Sequence, residues 1–238
     1  MEQSISLSAI VPIYNEEQNL EESVNRLIKE PIFNKIVLVD DASEDSSLEI
    51  AKNIERNYSN IQLISLEKNQ GKGNAVHEGL KFVETSHVIV HDADLEYFPS
   101  DIVEMYKIAK QNTNSLVLGS RTITGQDRVN RYKITYLGNK YLTLLFSVLN
   151  KHRVSDIASC YWLLNTKTLM DMNLVEKGFG IEVEVLSKFI RNSEAIIEVP
   201  IKYHGRTYEE GKKIKFADGI NIVLKIFKYS KLRYYFSR

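Results

Sequence analysis

The amino-acid sequence predicts an α/β fold in which a mostly parallel sheet is flanked by helices. Through the first half of the 238-residue chain, short apolar runs alternate with longer segments of helical periodicity. This alternation is typical of a parallel sheet that is covered on both faces. Polar clusters follow directly after several of the runs. Because ligands bind outside the carboxyl ends of the strands in such sheets, we expect a ligand site at that edge.

The elements of the first half follow from the spacing of apolar residues. Apolar runs predict five strands, at residues 7–13, 35–39, 61–66, 87–90 and 116–118. Helical patterns after residues 15, 43, 71 and 99 extend to about residues 28, 57, 84 and 110. The fourth helix is expected to begin at Pro99, because proline suits the first helical turn.

The second half of the chain is less regular. Helices are predicted over residues 136–150, 175–192 and 220–235, and a strand over residues 195–203. Gly178 and Gly180 interrupt the second helical pattern. We therefore expect one large domain over residues 1–218, followed by a basic amphipathic helix over residues 219–238.

Composition excludes several classes of protein. The chain has 31 basic and 31 acidic residues, whereas a dedicated nucleic-acid binder would show a basic excess. Cys160 is the single cysteine, so no intrachain disulfide can form and a reducing compartment is expected. The N-terminus lacks a basic segment before an apolar core, and no run reaches about 18 apolar residues. We therefore expect neither a signal peptide nor a membrane-spanning helix.

A pair of carboxylates follows the fourth apolar run, in the sequence Asp92-Ala93-Asp94 with Glu96 close behind. Two carboxylates this close repel each other unless a cation or a hydrogen-bond donor neutralises them. Mg²⁺ and Mn²⁺ take oxygen ligands and bind substrate phosphates, so the pair predicts a divalent cation that offsets the charge of a leaving diphosphate. The alternative interpretation is a solvated turn in which Asp94 caps a helix.

A second acidic cluster, Asp40-Asp41, follows the second apolar run. An acidic residue at such a strand end can hold ribose hydroxyls or the edge of a base, and we assign this role to Asp41. The alternative is a turn whose polar side chains cap the next helix, which we favour for Ser43 and Asp45.

A glycine-rich turn, Gly71-Lys72-Gly73, opens the third helix. It is not a P-loop, because the spacing to Lys72 is wrong and Asn74 stands where serine or threonine would bind magnesium. Such a turn can still approach a nucleotide closely, with Lys72 near a phosphate. The alternative is that a tight turn requires these glycines for steric reasons alone.

Basic residues follow in two groups. Arg121, Arg128 and Arg131 come after the fifth apolar run, and Arg206 and Lys212 lie near the C-terminus. Arginine suits bidentate recognition of phosphate, so both groups are candidates for phosphate binding. The alternative for any one of them is a solvated surface charge.

Together these segments resemble glycosyltransferase family 2 from residue 7 to about residue 220. The segments that carry the resemblance are residues 10–17, 40–45, 69–75 and 92–97. They resemble the family's first strand and nucleotide-binding turn, its second acidic motif, its glycine turn and its metal-binding Asp-X-Asp. The resemblance implies the GT-A fold, a nucleotide-sugar donor, and Mg²⁺ or Mn²⁺ held by Asp92, Asp94 and Glu96. The donor-binding residues that it implies are Pro12, Tyr14, Asn15, Glu16, Asp41, Gly71, Lys72, Asp92, Ala93, Asp94, Arg206 and Lys212.

A closer resemblance is to the polyprenyl-phosphate sugar transferases of this family. Gly119-Ser120-Arg121, followed by Arg128 and Arg131, resembles the stretch that grips the lipid phosphate. The resemblance therefore implies direct displacement with inversion, and an acceptor phosphate bound by these three arginines. A phosphate acceptor is already an anion near neutral pH and needs no strong base. For a sugar hydroxyl acceptor, Asp156 or Glu182 would be the base. The implied catalytic residues are Asp92, Asp94, Arg121, Asp156 and Glu182.

The chain departs from these relatives at several positions. Ala158, Ser159 and Trp162 stand where many relatives have an acidic residue, a threonine and a lysine, and Glu96 replaces a glutamine. These departures concern the sugar and the acceptor more than the class of reaction.

Three other functions remain open. A family 2 enzyme that extends a saccharide or glycolipid would share the donor site. A sugar nucleotidyltransferase would begin with a glycine-rich loop bearing arginine and lysine, which residues 12–17 lack. An inactive sugar-nucleotide binding module is disfavoured by the intact Asp92 and Asp94.

The last third of the chain predicts a peripheral contact with the cytosolic face of a membrane. The apolar residues Ile220, Val223, Leu224 and Phe227 share one helical face, bordered by Lys225, Lys228, Lys231 and Arg233. Basic helices of this kind lie in the interface of anionic leaflets. Leu142, Leu144, Leu145 and Phe146 are expected to form a second contact. The alternative is that both helices pack on their own domain.

Overall fold

The computed structural model of the chain describes residues 4–123, 128–129, 133–192, 195–207, 209 and 216–236. Within these residues a seven-stranded sheet is built from β1 (Leu7–Ile13), β2 (Lys35–Asp40), β3 (Ile61–Ser65), β4 (His87–Val90), β5 (Leu116–Ser120), β7 (Trp162–Asn165) and β8 (Ile196–Pro200). The strands β6 (Arg128–Val129) and β9 (Tyr203–His204) form a separate ribbon. The expected α/β fold is confirmed.

Helices flank the sheet on both sides. They are α1 (Leu20–Ile28), α2 (Ser47–Asn57), α3 (Lys72–Leu80), α4 (Pro99–Gln111), α5 (Lys133–Asn150), α6 (Thr166–Asp171), α7 (Ile181–Arg191), α8 (Phe216–Tyr229) and α9 (Lys231–Phe236). The first helix begins later than expected, because Asn15 has a φ of 50°, which lies outside the right-handed helical region.

The strand order is β3-β2-β1-β4-β7-β5-β8. Strand β7 runs antiparallel between β4 and β5, and the other neighbouring pairs are parallel. The carboxyl ends of β1, β2, β4 and β5 therefore share one edge of the sheet. The register pairs Ile13 with Asp40 and Ile10 with Val90. This register brings together the turns that carry the polar clusters.

Two cores cover the two faces of the sheet. In β1, Leu7, Ala9, Val11 and Ile13 pack into the core that α1, α2 and α4 complete. Ile10 points to the opposite face, into the core that α3, α5, α7 and α8 complete. This alternation is the two-residue period of a strand, and burial of both faces is the main stabilising contribution.

Several elements of the second half differ from the expectation. Strand β7 and helix α6 were not expected. The helix expected over residues 175–192 begins at Ile181, because the backbone N–H groups of Val175 and Glu176 donate to the carboxylate of Glu184 instead of continuing a helix. The C-terminal helical pattern is divided into α8 and α9 at Ser230.

Helix α8 packs on the domain with its inner face. Ile226 is fully buried in the second core, and α8 contacts both α5 and α7. Because α8 begins at Phe216, the expected division after residue 218 falls inside this helix. Within the described part of the chain, no helix is both long and apolar enough to span a membrane.

The second membrane contact expected of α5 is contradicted for Phe146, and Leu142 and Leu145 are only partly exposed. Phe146 is buried, and Leu142 and Leu145 pack against the second core, because they lie on the side of the helix that covers the sheet. Leu144 is exposed as expected.

Candidate active site

The turn after β1 binds the acidic segment after β2. The backbone N–H of Asn15 donates to Ser43 Oγ at 3.0 Å, and the N–H of Glu16 donates to Ser47 Oγ at 2.8 Å. Asp45 accepts from the N–H groups of Ser47 and Glu17. Ser43 and Asp45 therefore fix these turns to each other, in keeping with the structural role favoured for them.

Asp41 organises the glycine turn. Its carboxylate is 2% exposed and accepts from the N–H groups of Gln70 at 3.0 Å and Gly71 at 2.7 Å. Its neighbour Asp40 is fully buried, and within the described residues Asp40 Oδ1 has no hydrogen-bond partner. The donor role assigned to Asp41 stays a prediction.

The glycines of this turn are required by a close backbone approach. Gly71 has a φ of 97°, which disfavours any other residue, and a Cβ there would lie 2.8 Å from the carbonyl oxygen of Lys177. A Cβ on Gly73 would lie 2.2 Å from the carbonyl oxygen of Glu176. The steric interpretation therefore holds for both glycines. Because they flank Lys72, the backbone on each side of Lys72 is held close to the backbone of Glu176 and Lys177.

Lys72 joins the carboxylate pair to helix α7. Its Nζ lies 2.8 Å from Asp92 Oδ1 and 2.8 Å from Glu182 Oε1. Burial opposes the charge of the ammonium group, but the two carboxylates outweigh it and raise the pKa of Lys72 well above its usual value. Burial likewise opposes the charge of Asp92, and Lys72 overcomes this cost and lowers the pKa of that carboxyl.

A second cluster surrounds Arg206. The guanidinium lies 3.1 Å from Glu16 Oε2, 3.3 Å from Asp94 Oδ2 and 4.0 Å from Glu96 Oε1. Burial and the nearby carboxylates of Glu96 and Asp92 raise the pKa of Asp94 to about 8, against the opposing effect of Arg206. One guanidinium therefore does not balance this cluster, which favours additional positive charge.

The carboxylate oxygens of Asp92 and Asp94 suit a hard divalent cation as ligands, although the side chains are not arranged around one. Among the described residues no three carboxylate, imidazole or thiol groups converge in the geometry of a metal site. Lys72 binds Asp92, whereas Arg206 binds Asp94. Protein cations thus occupy the positions next to both carboxylates, whose oxygens are the ligand type that Mg²⁺ and Mn²⁺ take.

Arg121 and Asp156 form a buried bidentate pair. Arg121 Nε donates to Asp156 Oδ2 at 2.7 Å and Nη2 donates to Oδ1 at 2.8 Å. Asn139 Nδ2 also donates to Asp156 at 2.8 Å. Burial opposes the charge of Asp156, but Arg121 outweighs it and lowers the pKa of the carboxyl. Asp156 is therefore poorly suited to accept a proton near neutral pH.

Tyr203 contacts both the carboxylate cluster around Arg206 and the Arg121–Asp156 pair. Its hydroxyl donates to Glu96 Oε2 at 2.7 Å, and its ring lies 4.8 Å from the guanidinium carbon of Arg121. Tyr203 and Asn139 were not among the residues selected from the sequence. No local motif distinguishes them, because their contacts depend on the register of β9 and on the packing of α5.

The remaining predicted residues lie near this edge or outside the described residues. Arg128 pairs with Tyr203 in the β6–β9 ribbon. Pro12 and Tyr14 are partly exposed at the end of β1, and Ala93 is buried. Arg131 and Lys212 lie outside the described residues. Their predicted contacts stay predictions.

Comparison with known proteins gives a family match. Residues 8–172 match the family model described as glycosyl transferase family 2. A dolichol-phosphate mannosyltransferase of Pyrococcus furiosus is 30% identical over 212 residues, which cover 87% of this chain and 59% of that protein. An undecaprenyl-phosphate mannosyltransferase of Micrococcus luteus is 27% identical over 213 residues, which cover 85% of each chain.

Solved structures share the fold. Glucosyl-3-phosphoglycerate synthase from Mycobacterium tuberculosis, in complex with Mn²⁺, uridine diphosphate and glucosyl-3-phosphoglycerate, superposes with a TM-score of 0.71 at 18% identity. The match covers 95% of this chain and 80% of that chain. S. aureus TarS in complex with UDP-GlcNAc gives a TM-score of 0.63 at 17% identity, covering 96% and 68%. With its sheet order, its acidic edge and the match over most of its length, the chain belongs to glycosyl transferase family 2 and has the GT-A fold.

Proposed function

We propose that the chain is a metal-dependent, inverting glycosyltransferase that moves a hexose from a UDP- or GDP-sugar to a polyprenyl phosphate. The names of the Pyrococcus and Micrococcus relatives support the lipid-phosphate acceptor. The chain spans 59% of the length of the Pyrococcus relative.

The observation that carries the acceptor assignment is that both candidate bases are ion-paired. Asp156 is held by Arg121, and Glu182 is held by Lys72. A sugar hydroxyl needs a base to remove its proton, whereas a phosphate monoester attacks as an anion. An active site that neutralises its carboxylates in this way suits an acceptor that is already ionised. The saccharide-extending alternative is disfavoured for the same reason.

The divalent cation would be held by Asp92, Asp94 and Glu96. The cluster around Arg206 carries more carboxylates than one guanidinium balances, which supports a second positive charge there. When bound, Mg²⁺ or Mn²⁺ neutralises the diphosphate that leaves the sugar. Arg206 lies in the same cluster, and it is suited to hold a phosphate once the cation shares its carboxylates.

The acceptor phosphate would lie on the side of β5 and β6. Arg121 directly follows β5, and Arg128 pairs with Tyr203, whose ring contacts Arg121. Asp156 and the ring of Tyr203 hold the Arg121 guanidinium in one place. We assign the acceptor phosphate to Arg121, Arg128 and Arg131.

A membrane contact would be made by an exposed apolar surface, which we name the α5–α8 face. Its residues are Leu137, Tyr141, Leu144 and Val148 in α5 and Ile220, Leu224 and Phe227 in α8, each between 49% and 65% exposed. The two helices contact each other and cover the same core, so their outward residues form one surface. Large exposed apolar patches mark interaction sites.

The occupant proposed for the α5–α8 face is an anionic lipid surface on the cytosolic side of a membrane. Helix α5 bears four outward apolar residues and also carries Asn139, which binds Asp156 beside the predicted acceptor site. A lipid-linked acceptor would therefore reach the site from the surface on which α5 lies. Exposed Arg233 and partly exposed Lys231 add positive charge near α8, whereas Lys225 and Lys228 bind Glu176 within the domain.

The acceptor test uses a panel of UDP- and GDP-hexoses with Mn²⁺. Each donor is incubated with polyprenyl phosphate, with the matched polyprenol that lacks the phosphate, and with a saccharide acceptor, and the products are identified by mass. Hexosylated polyprenyl phosphate is expected from one donor class, with no product from the polyprenol. Transfer to the saccharide alone would contradict the proposal.

The membrane test is flotation with anionic vesicles at low salt. The wild type is expected to float, and Leu144→Glu combined with Leu224→Glu is expected to stay in the soluble fraction. Tyr58→Glu is the matched control, because Tyr58 is exposed and follows α2 on the opposite side of the sheet. Equal flotation of all three proteins would contradict the assignment of the α5–α8 face.

A further inference from the structure

Glu176 anchors helix α8 through a buried carboxylate. The side chain is 7% exposed and accepts hydrogen bonds from Lys225 Nζ at 2.9 Å, Lys228 Nζ at 2.8 Å and the Tyr229 hydroxyl at 2.5 Å. All three donors come from one side of α8. Two ammonium groups and a hydroxyl on one buried carboxylate hold the helix and the 174–180 segment in a fixed relation.

The backbone of the same segment abuts the glycine turn of the predicted donor site. The carbonyl oxygen of Glu176 lies 2.2 Å from the position that a Cβ on Gly73 would take. The carbonyl oxygen of Lys177 lies 2.8 Å from the position that a Cβ on Gly71 would take. The backbone N–H of Asn74 donates to Lys177 O at 2.9 Å. Asn74 is in the first turn of α3, where a helix has no internal acceptor for its N–H groups, so this segment completes the helix end.

Lys72 stands between these contacts and reaches the predicted metal ligand. It leaves the glycine turn and binds Asp92 and Glu182, each at 2.8 Å. A displacement of the 174–180 segment therefore moves Gly71 and Gly73, and with them the ammonium group that neutralises Asp92. Contact is continuous from α8 to the predicted donor site.

A second carboxylate holds the segment to a different helix. Glu184 accepts from the N–H groups of Val175 and Glu176, and it binds Lys188 at 2.7 Å. Glu184 belongs to α7, so it fixes the segment to α7, and α7 in turn packs against α8. The side chain of Glu176 connects the segment directly to α8, the helix that bears Leu224 and Phe227.

We propose that Glu176 is a positioning residue that couples the seating of α8 on an anionic lipid surface to the placement of Lys72 in the donor site. The proposal rests on the membrane contact of the α5–α8 face proposed above. Seating of α8 restrains Lys225, Lys228 and Tyr229, and through Glu176 it restrains the turn that carries Lys72. The enzyme is thereby ordered for donor binding at the surface where its acceptor lies.

The experiment measures hydrogen–deuterium exchange of the peptide that spans the first turn of α3, in the full chain. Wild type, Glu176→Gln and the control Glu104→Gln are compared with and without phosphatidylglycerol-containing vesicles. Glu104 is the matched control because it forms an exposed ion pair with Lys107. Flotation is run on the same samples, and the exchange of β1 amides reports whether each variant keeps the fold.

The expected result has two parts. In the absence of vesicles, the Asn74 amide is expected to exchange about tenfold faster in Glu176→Gln than in wild type. Its exchange rate in Glu104→Gln is expected to equal that of wild type. Vesicles slow this exchange in wild type and in Glu104→Gln, and they leave Glu176→Gln unaffected although it still floats. The double variant Lys225→Met with Lys228→Met reproduces the behaviour of Glu176→Gln, because it removes the same ion pairs from the other side.

Each part of the proposal has its own contradicting result. Unchanged Asn74 exchange in Glu176→Gln means that Glu184 alone holds the segment, and it overturns the proposal. Flotation of wild type without any change in exchange overturns the coupling and leaves the membrane contact standing. Failure of wild type to float overturns the membrane contact, and with it the coupling, whatever the variant does in solution.

Discussion

Substitution of Asp156, the partner of Arg121, distinguishes a carboxylate that stabilises the fold from one that acts as a catalytic base. Asp156 has 0% exposure and accepts hydrogen bonds from Arg121 Nε, Arg121 Nη2 and Asn139 Nδ2. Asp156→Asn removes the negative charge and turns one acceptor into a donor that faces existing donors. Breaking a buried ion pair by removing one partner costs about 3–5 kcal/mol, because the remaining charge is uncompensated. We expect Asp156→Asn to lower the free energy of unfolding by that amount.

The measurement is urea unfolding of wild type, Asp156→Asn, Arg121→Met and the double variant. The double variant is expected to recover part of the lost stability, because it leaves no unpaired buried charge. A base would behave differently, since Asp156→Asn would then abolish turnover with little change in stability. A loss below about 1 kcal/mol, or additive effects of the two substitutions, would refute the structural interpretation of the pair.

Three further results are expected. Arg128→Ala with Arg131→Ala should raise the KM for the lipid acceptor more than the KM for the donor in steady-state assays, and equal increases would reject the acceptor assignment. Gly73→Ala should destabilise the fold by about 2 kcal/mol in urea, because of the contact with Glu176 O, whereas Gly178→Ala, with no atom within 4 Å, should be near neutral. Burial lowers the pKa of His91 to about 4, so below its unfolded pKa of about 6.5 the unfolded state binds more protons. Stability should fall as pH drops from 6.5 towards 4, by about 3 kcal/mol for this group, and His91→Gln should show a shallower pH dependence in the same range.

The first half of the fold was predictable because local signals agreed with the tertiary structure. Strands β1 to β5 are apolar runs bounded by caps and turns, and each was located from the sequence to within a few residues. Strand β7 was missed because Trp162–Asn165 is a short run without flanking turn signals. Its antiparallel position between β4 and β5 depends on pairing with distant strands, which no local pattern records.

The site was predictable in its location but not in its pairings. The polar turns after β1, β2 and β4 were expected at one edge, and the sheet order places them there. The partner of each charge was not predictable. Arg206 binds Glu16 across almost the whole chain, and Lys72 binds Glu182 on a helix from the second half. Such pairings follow from how the helices pack on the sheet, so sequence spacing cannot supply them.

In the proposed function, the chain transfers a hexose to a polyprenyl phosphate with the help of a divalent cation held by Asp92 and Asp94. The most direct measurement is the mass-detected yield of hexosylated polyprenyl phosphate from wild type and Asp94→Asn, each with Mn²⁺ and with excess chelator. We predict product from wild type with Mn²⁺, none with chelator, and a loss of about 100-fold or more in turnover for folded Asp94→Asn. Full wild-type activity in chelator, or undiminished turnover of Asp94→Asn, would contradict the claim.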